Sequence, residues 1–439
     1  MNLLLVIEKF SFFKFMIDRN MWWIFPSVFL FGIATFSFLF IGARSENRIL
    51  RKLLFIPARK SITNAVQLGG LPLSLSIIFG FFHIYNHESF HSFFSILDHY
   101  TIKYWLVSSG IIVLYGYLDD KFELRPFVKL ALQLFSIGFF ATLESRVVFP
   151  KWGALAFLIV SFWGLGVING SNLLDGLDTL TIKIGIVTFG VFLIISYNFK
   201  IPSSTLASLV AISSLLAFYF FNKEPAKIHL GEIGGSFIGF TSVLVSCLVF
   251  SHLIRIKVSH FNALNICLLP LTLPMVELGI SFVRRIYSRR SPFKGDKYHL
   301  HHILKNYYGF SPSKASTIYA LCYALVMISG ITIMHFYGPF LSLVLTTGLL
   351  VTAYVGIGRK HWKSEKSLDL KPKALFDYLI KKNVGVIYSS EVEEFELKVI
   401  SGVLTTSEDP VTSEEAGEPF EKKADSSLEE NGKKTKKIA

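Results

Sequence analysis

The chain has 439 residues, 52% of them hydrophobic and only 17% charged, with a mean hydropathy of +0.51. Soluble domains carry about 25% charged residues, so this composition excludes an ordinary soluble globule and predicts an integral membrane protein. Of the formal charge of +13, the first 358 residues carry +14, where 29 Lys and Arg oppose 15 Asp and Glu, and the remainder carries −1. That leaves no basic soluble module for nucleic acid. The excess sits in loops, where it sets topology and attracts anionic headgroups or phosphorylated substrates.

Residues 1–22 contain Glu8, Lys9, Lys14, Asp18 and Arg19, which suits an interfacial amphipathic segment better than a cleaved signal. Eleven apolar runs follow, near 23–43, 68–84, 104–118, 127–143, 152–168, 182–197, 203–221, 236–254, 263–283, 316–336 and 340–357. A spanning helix needs about 20 apolar residues, fewer where neighbours shield it. The expected fold is therefore all-α, a polytopic membrane helix bundle over residues 23–358. Cys247, Cys267 and Cys322 lie in apolar runs without metal spacing and read as buried hydrophobes.

Basic residues cluster at 44–60 (Arg44, Arg48, Arg51, Lys52, Arg59, Lys60) and at 284–314 (Arg284, Arg285, Arg289, Arg290, Lys294, Lys297, Lys305, Lys314). Positive loops stay in the cytoplasm. Eleven alternating spans then place 119–126, 169–181, 222–235 and the C-terminus inside, with the N-terminus outside, in a cytoplasmic (inner) membrane. Arg255 and Lys257 fall on the outer side against this trend. Residues 359–404 retain short apolar runs, enough for a small cytoplasmic extension, and 405–439 are rich in Glu, Lys, Ser and Thr and are expected to be disordered.

Four polar constellations fall on the inner side. Asp119-Asp120 closes an apolar run in DDKFELRPFVKLALQ. Carboxylates are costly beside hydrocarbon, so they mark a functional site or a solvated topology loop. Adjacent acids cannot share one helix face, so one can meet a metal or proton while its neighbour orients another group. Lys129 lies in the helix restarting after Pro126, within reach of a phosphate.

In NGSNLLDGLDTL, Asn169, Asn172, Asp175 and Asp178 recur every three positions. That spacing rotates by about half a turn over nine residues, so the four share no face unless a glycine breaks the helix. A broken helix end is expected, dividing amides and carboxylates between a metal and a nucleotide. In HLGEIGGSFIGF, Glu232 with Gly234, Gly235 and Ser236 opens an apolar helix, either as a plain helix cap or as a site for an anion at the N-terminus and a hard cation on the carboxylate. In KGDKYHLHHIL, His299, His301 and His302 stand among arginines. Zinc sites usually pair ligands at helix spacing with Cys or Glu, so contacts to pyrophosphate or sugar fit better than a metal, with a simple basic membrane-surface loop as the alternative.

Together these segments resemble the polyprenyl-phosphate N-acetylhexosamine-1-phosphate transferases of glycosyltransferase family 4, over about residues 55–357. DDKFELRPFVKLALQ matches the family's acidic-pair motif, with Asp119, Asp120, Lys129 and Gln133. NGSNLLDGLDTL and DKYHLHHIL match its Asn/Asp and histidine motifs. ARKSITNAVQLGGL is similar to its first loop, keeping Gly69-Gly70 without the usual His, Pro and Arg. Thr179 stands where the family usually has Gly, and Glu232 where it usually has Asp, a carboxylate ~1.5 Å farther out.

The resemblance implies transfer of a sugar 1-phosphate, such as N-acetylglucosamine 1-phosphate, from a UDP-sugar to undecaprenyl or another polyprenyl phosphate. UMP is released, in the first membrane step of a cell-envelope polysaccharide such as O-antigen or teichoic acid. It implies Mg²⁺ or Mn²⁺ on Asn172 and Glu232, with Asp175 or Asp178 as a third ligand or uridine contact. Asp119 would accept the lipid phosphate proton, with Asp120 and Asp178 in the catalytic set. Lys129, Asn169, Asp175, His299, His301 and His302 would bind substrate. A homodimer is left open.

Three alternatives stand beside this reading. Phospho-N-acetylmuramoyl-pentapeptide transferase shares the fold, but its histidine segment lacks an insertion such as Leu300. An anion transporter would place ionisable groups at the midplane rather than on one face. An inactive homologue is suggested by Glu232 and Thr179.

Overall fold

The computed structural model describes residues 23–54, 65–86, 95–148, 150–289, 291–292 and 295–368. The expectations for residues 1–22 and for the extension and tail beyond 368 lie outside these, as do Arg59, Lys60, Arg290 and Lys294. Two units are distinguished, 1–363 and 364–439, and the architecture below is that of the first.

Fourteen α-helices occur among the described residues: α1 (Ile24–Ala43), α2 (Arg48–Leu54), α3 (Gly70–Tyr85), α4 (Ile96–Phe122), α5 (Pro126–Val148), α6 (Gly153–Leu173), α7 (Leu180–Phe199), α8 (Pro202–Asn222), α9 (Gly231–Arg255), α10 (His260–Leu268), α11 (Thr272–Tyr287), α12 (Leu300–Asn306), α13 (Pro312–Tyr337) and α14 (Pro339–Leu368). A 3₁₀ turn, Leu269–Leu271, joins α10 to α11. No β-strand is found among the described residues, only an isolated parallel bridge between Val66 and Ile228.

Among the described residues, nine stretches are long and apolar enough to cross a membrane, with α10 and α11 counting as one. The two remaining expected spans are helices as well. At 16 residues α3 is shorter. The 27-residue α4 carries its charges at its ends, among them Asp98, Asp119, Asp120 and Lys121, which dilutes its hydropathy. The chain is a polytopic all-α membrane bundle. Its outer helices expose Phe38, Phe135 and Leu325, side chains that lipid accepts and water does not.

The central helix is α9, which packs against α3, α4, α6, α7, α8 and α10. Its sequence explains this position. It is apolar all round, so no face is suited to water. Interspersed small residues (Gly234, Gly235, Ser236, Gly239, Ser242, Ser246) let neighbouring backbones approach closely. At ~1.5 Å per residue its 25 residues reach about 37 Å, enough for a bilayer core of about 30 Å. Phe237 and Phe240 meet Trp105 of α4 at ring-centroid distances of 5.6 and 6.3 Å, and Phe240 meets Phe140 of α5 at 5.3 Å.

Local chemistry sets the helix ends that matter. Ser95 and Asp98 form a capping box that starts α4. At its other end Glu123 turns left-handed (φ 53°) and its N–H donates to the Asp119 carbonyl at 2.9 Å. The residue before a proline avoids helical φ/ψ, so the chain restarts at Pro126 as α5. Residues 65–70 run beside 227–230: His229 N–H donates to Val66 O (2.8 Å) and Gly69 N–H to His229 O (2.9 Å). That pairing brings residues 65–70 to the N-terminus of α9.

Candidate active site

The site forms where the end of α4, the start of α5, the end of α6 and the start of α9 converge. Lys129 is its hub. The ammonium lies 3.1 Å from Asp119 Oδ2 and 2.8 Å from Glu232 Oε2. The Asn172 side-chain amide donates to Glu232 Oε1. Asp119 also receives the Leu124 N–H at 3.0 Å, which holds it at the helix end.

Asp120 turns the other way, as adjacent acids on a helix must. It is buried, and its Oδ1 accepts the Glu232 backbone N–H at 2.9 Å and the Gln67 side chain at 3.3 Å. Gly231 makes this approach possible. Its φ is +72° and a Cβ there would lie 2.6 Å from Asp120 Oδ2, so only glycine fits both the conformation and the space. Asp120 therefore anchors the first turn of α9 while Asp119 faces Lys129.

The Asn/Asp segment breaks as expected. α6 ends at Leu173, a turn covers 174–179, and α7 begins at Leu180. Asn169 remains inside α6, donating to Gln133 Oε1 (3.0 Å), and Gln133 donates in turn to the Tyr115 hydroxyl (3.2 Å). Asn172 reaches Glu232. Asp175 accepts from the Thr181 hydroxyl at 3.2 Å. Asp178 accepts from the Ala226 N–H at 3.3 Å and lies 3.6 Å from His229 Nδ1. Burial raises the Asp178 carboxyl above its ordinary value, His229 opposing, while burial lowers the His229 imidazole. The four polar residues thus diverge: Asn172 joins the Lys129 cluster, and Asp178 pairs with a histidine absent from the sequence-based set.

Thr179 has φ +64°, the left-handed region that favours glycine. Two bonds hold it there: its N–H donates to Asn222 Oδ1 (2.7 Å) and its hydroxyl meets Ser316 Oγ (3.1 Å). The usual glycine thus has a conformational reason, and this chain replaces it with a hydrogen-bonded threonine.

The histidine loop is braced from α11. Arg284 and Arg285 each bond Asp296 at 2.9 Å. Burial would raise the Asp296 carboxyl, but these guanidinium contacts hold it at about 2. His299 Nδ1 lies 2.7 Å from Glu277 Oε1. His301 is fully buried, and neither of its ring nitrogens has a hydrogen-bond partner among the described residues. Burial, then the charges of His302 and His299, push its pKa well below 6.5. A Cβ on Gly176 would lie 2.1 Å from His301 Nε2 and 3.1 Å from His302 Cε1, so these histidines cover the Asp175–Asp178 turn.

Among the described residues no group of three His, Cys, Asp or Glu converges as a ready metal cage. The donor chemistry still suits a hard cation: Glu232 and Asp119 turn carboxylate oxygens to the point now held by Lys129, and Asn172 adds an amide beside Glu232. Sequence patterns missed Gln67, Tyr115, His229 and Glu277. Glu277 had a signal, an acid inside the apolar run LPMVELGISFV; Gln67 and His229 lie within ARKSITNAVQLGGL and HLGEIGGSFIGF, where nothing marked their partners, and Tyr115 had no signal.

The glycosyl transferase family 4 profile matches residues 102–250, which include Asp119, Asp120, Lys129, the Asn/Asp segment and Glu232. The chain is 30% identical over 210 residues to a probable undecaprenyl-phosphate N-acetylglucosaminyl 1-phosphate transferase of Bacillus subtilis (strain 168), covering 45% of this chain and 56% of that one. It is 24% identical over 322 residues to an undecaprenyl-phosphate alpha-N-acetylglucosaminyl 1-phosphate transferase of Yersinia pestis, covering 69% and 82%. It is 29% identical over 166 residues to a phospho-N-acetylmuramoyl-pentapeptide-transferase of Limosilactobacillus fermentum, covering 35% and 51%. The aligned stretch thus spans about half the length of the Bacillus and Limosilactobacillus relatives.

Proposed function

We propose that this chain, which belongs to glycosyl transferase family 4, transfers N-acetylglucosamine 1-phosphate from its UDP-sugar to undecaprenyl phosphate, releasing UMP. The observation that carries the proposal is Lys129, an ammonium shared by Asp119 and Glu232 at the junction of four helix ends. The names of the relatives supply the lipid and the sugar. The basic loops favour a site on the cytoplasmic face of the inner membrane, where a lipid-anchored phosphate meets a soluble nucleotide sugar.

In this reaction an oxygen of the lipid phosphate attacks the sugar-bearing phosphorus of the donor. A P–O bond forms there, and the bond from that phosphorus to the bridging oxygen breaks, leaving with UMP. Two anions must meet, so catalysis is chiefly positioning and charge neutralisation. Lys129 supplies a fixed positive charge. Asp119, facing Lys129, takes the proton of a monoprotonated lipid phosphate. Asp120 keeps the α9 N-terminus in place through the Glu232 N–H.

A magnesium ion, for which Asn172 and Glu232 offer hard oxygen donors with Asp119 beside them, would neutralise the donor pyrophosphate. His301, whose ring nitrogens have unused hydrogen-bonding capacity, lies against the Asp175–Asp178 turn and shapes it for the donor.

The test uses membranes containing the full chain, undecaprenyl phosphate, Mg²⁺ and labelled UDP-N-acetylglucosamine. Labelled lipid and stoichiometric UMP are expected. Wild-type turnover in both Asp119→Asn and Glu232→Gln would sink the site assignment. Transfer from UDP-N-acetylmuramoyl-pentapeptide instead of UDP-N-acetylglucosamine would sink the choice of substrate.

A further inference from the structure

Glu277 belongs to none of the motifs, yet it is among the most enclosed charged side chains in the bundle. It sits on α11 with no solvent exposure. Its Oε1 faces His299 Nδ1 at 2.7 Å and accepts the Tyr354 hydroxyl of α14 at 3.2 Å. Its Oε2 accepts the Tyr319 hydroxyl of α13 at 3.2 Å. Two helices and the histidine loop therefore meet on one carboxylate. A buried carboxylate accepting several hydrogen bonds fixes its partners, since losing any of them leaves a desolvated acceptor.

The contact also determines what His299 can do. With Nδ1–H donated to Glu277, Nε2 points toward Asp296 at 3.8 Å. Both ring nitrogens thus face carboxylates, and the ring is nearly enclosed. His299 also stacks on His301, with centroids 5.5 Å apart and planes 13° apart. His301 in turn covers Gly176. A continuous path of contacts runs from Glu277 through His299 and His301 to the Asp175–Asp178 turn.

We propose that Glu277 is a positioning residue: it orients His299, which seats His301 on the Asp175–Asp178 turn. His299 then serves as a strut, and His301 is the ring that closes over the Asp175–Asp178 turn. The positioning is a matter of geometry, whereas its effect on the donor rests on the transfer reaction proposed above.

The test compares full-length wild type with Glu277→Gln, His299→Gln and the double variant in detergent. Hydrogen exchange is read over residues 295–304 and 172–180. In Glu277→Gln both segments should exchange about tenfold faster or more, with the remaining bundle unchanged. The donor KM should rise while the lipid KM stays constant, and donor kcat/KM should fall by about 10- to 100-fold. The double variant should lose little beyond His299→Gln, because the two residues act as one unit.

Unchanged exchange in both segments overturns the proposal. So does faster exchange throughout the bundle, which marks a merely structural acid, and so do fully additive losses. If Glu277→Gln does not fold, Tyr319→Phe with Tyr354→Phe should quicken exchange in the same two segments, and no change there overturns the proposal. An inactive wild type would sink the transfer reaction, while the exchange data still decide the positioning.

Discussion

The Lys129 ammonium lies 2.8 Å from the Glu232 carboxylate, so the start of α5 is bonded to the start of α9 across the site. The same ammonium holds Asp119. One cation thus balances two acids at the point where the proposed divalent cation would bind. Lys129→Met should cut turnover by about 100-fold or more, as removal of a preorganised charge does. With the competing ammonium gone, half-maximal activation should need less Mg²⁺. Titrating Mg²⁺ while following UMP release checks both effects; unchanged turnover would remove Lys129 from the mechanism.

Glu232 stands where the family usually has aspartate, and its backbone explains the longer side chain. Its N–H is held by Asp120 at 2.9 Å, so the main chain cannot move to follow a shorter acid. Glu232→Asp would withdraw the carboxylate by ~1.5 Å from Lys129 and Asn172. Activity should fall by about tenfold while the fold is retained. A gain in activity would instead identify Glu232 as a mark of a weakened enzyme. Initial rates at saturating substrate decide between them.

Thr179 holds a left-handed conformation through its bonds to Asn222 and Ser316. A β-branched residue at positive φ costs about 1–2 kcal/mol. Thr179→Gly relieves that strain but loses a hydroxyl bond of about 1 kcal/mol and gains unfolded-state entropy of up to about 1 kcal/mol. The net change should lie within about 1 kcal/mol of zero. Thr179→Val keeps the strain and loses the bond, so it should destabilise by about 1–2 kcal/mol. Thermal unfolding in detergent separates the two variants; equal melting temperatures would contradict the strain argument.

The contrast between Asp119 and His229 shows what was legible in advance. Helices, their order and the motif acids leave local marks: apolar runs of spanning length, Pro126 restarting α5, acids beside hydrocarbon. Asp119, Lys129, Asn172 and Glu232 meet because those helices end together. Partners chosen by tertiary packing leave no such mark. His229 reaches Asp178 across 51 positions of sequence, and Gln67 reaches Asp120 only because residues 65–70 pair with 227–230. Nor does the regular three-residue spacing of Asn169, Asn172, Asp175 and Asp178 reveal that Asn169 stays inside α6 bonded to Gln133.

The histidine loop should make stability depend on pH in two windows. The folded pKa of His301 lies well below the unfolded 6.5, because burial and the charges of His302 and His299 oppose protonation. Stability tied to the neutral ring is complete above pH 6.5 and declines below it, as the unfolded chain binds a proton that the folded chain refuses. Asp296 is held at about 2 against an unfolded 3.8. Its contribution is complete above pH 3.8 and is lost as pH falls through 2. His301→Gln should flatten the melting-temperature profile just below pH 6.5, and Asp296→Asn should lower it near neutrality. A His301→Gln profile parallel to wild type would overturn the first expectation.

Arg255, the basic residue that runs against the topology trend, is neutralised where it stands. Its Nη2 lies 3.3 Å from Asp98 Oδ2, at the end of α9 opposite Glu232, and the same Asp98 oxygen accepts the Ser95 N–H at 3.0 Å in the α4 capping box. Asp98 is almost fully buried whereas Arg255 is substantially exposed, so the two partners should respond unequally. Arg255→Met leaves a buried carboxylate without its counter-charge and should cost about 1–3 kcal/mol. Asp98→Asn in the wild-type background loses the ion pair, but an amide oxygen still serves the cap. In the double variant no buried charge remains, so much of the Arg255→Met loss should be recovered. A double-mutant cycle measured by thermal unfolding reads this coupling directly. Strict additivity would mean that Asp98 does not depend on Arg255 for its counter-charge.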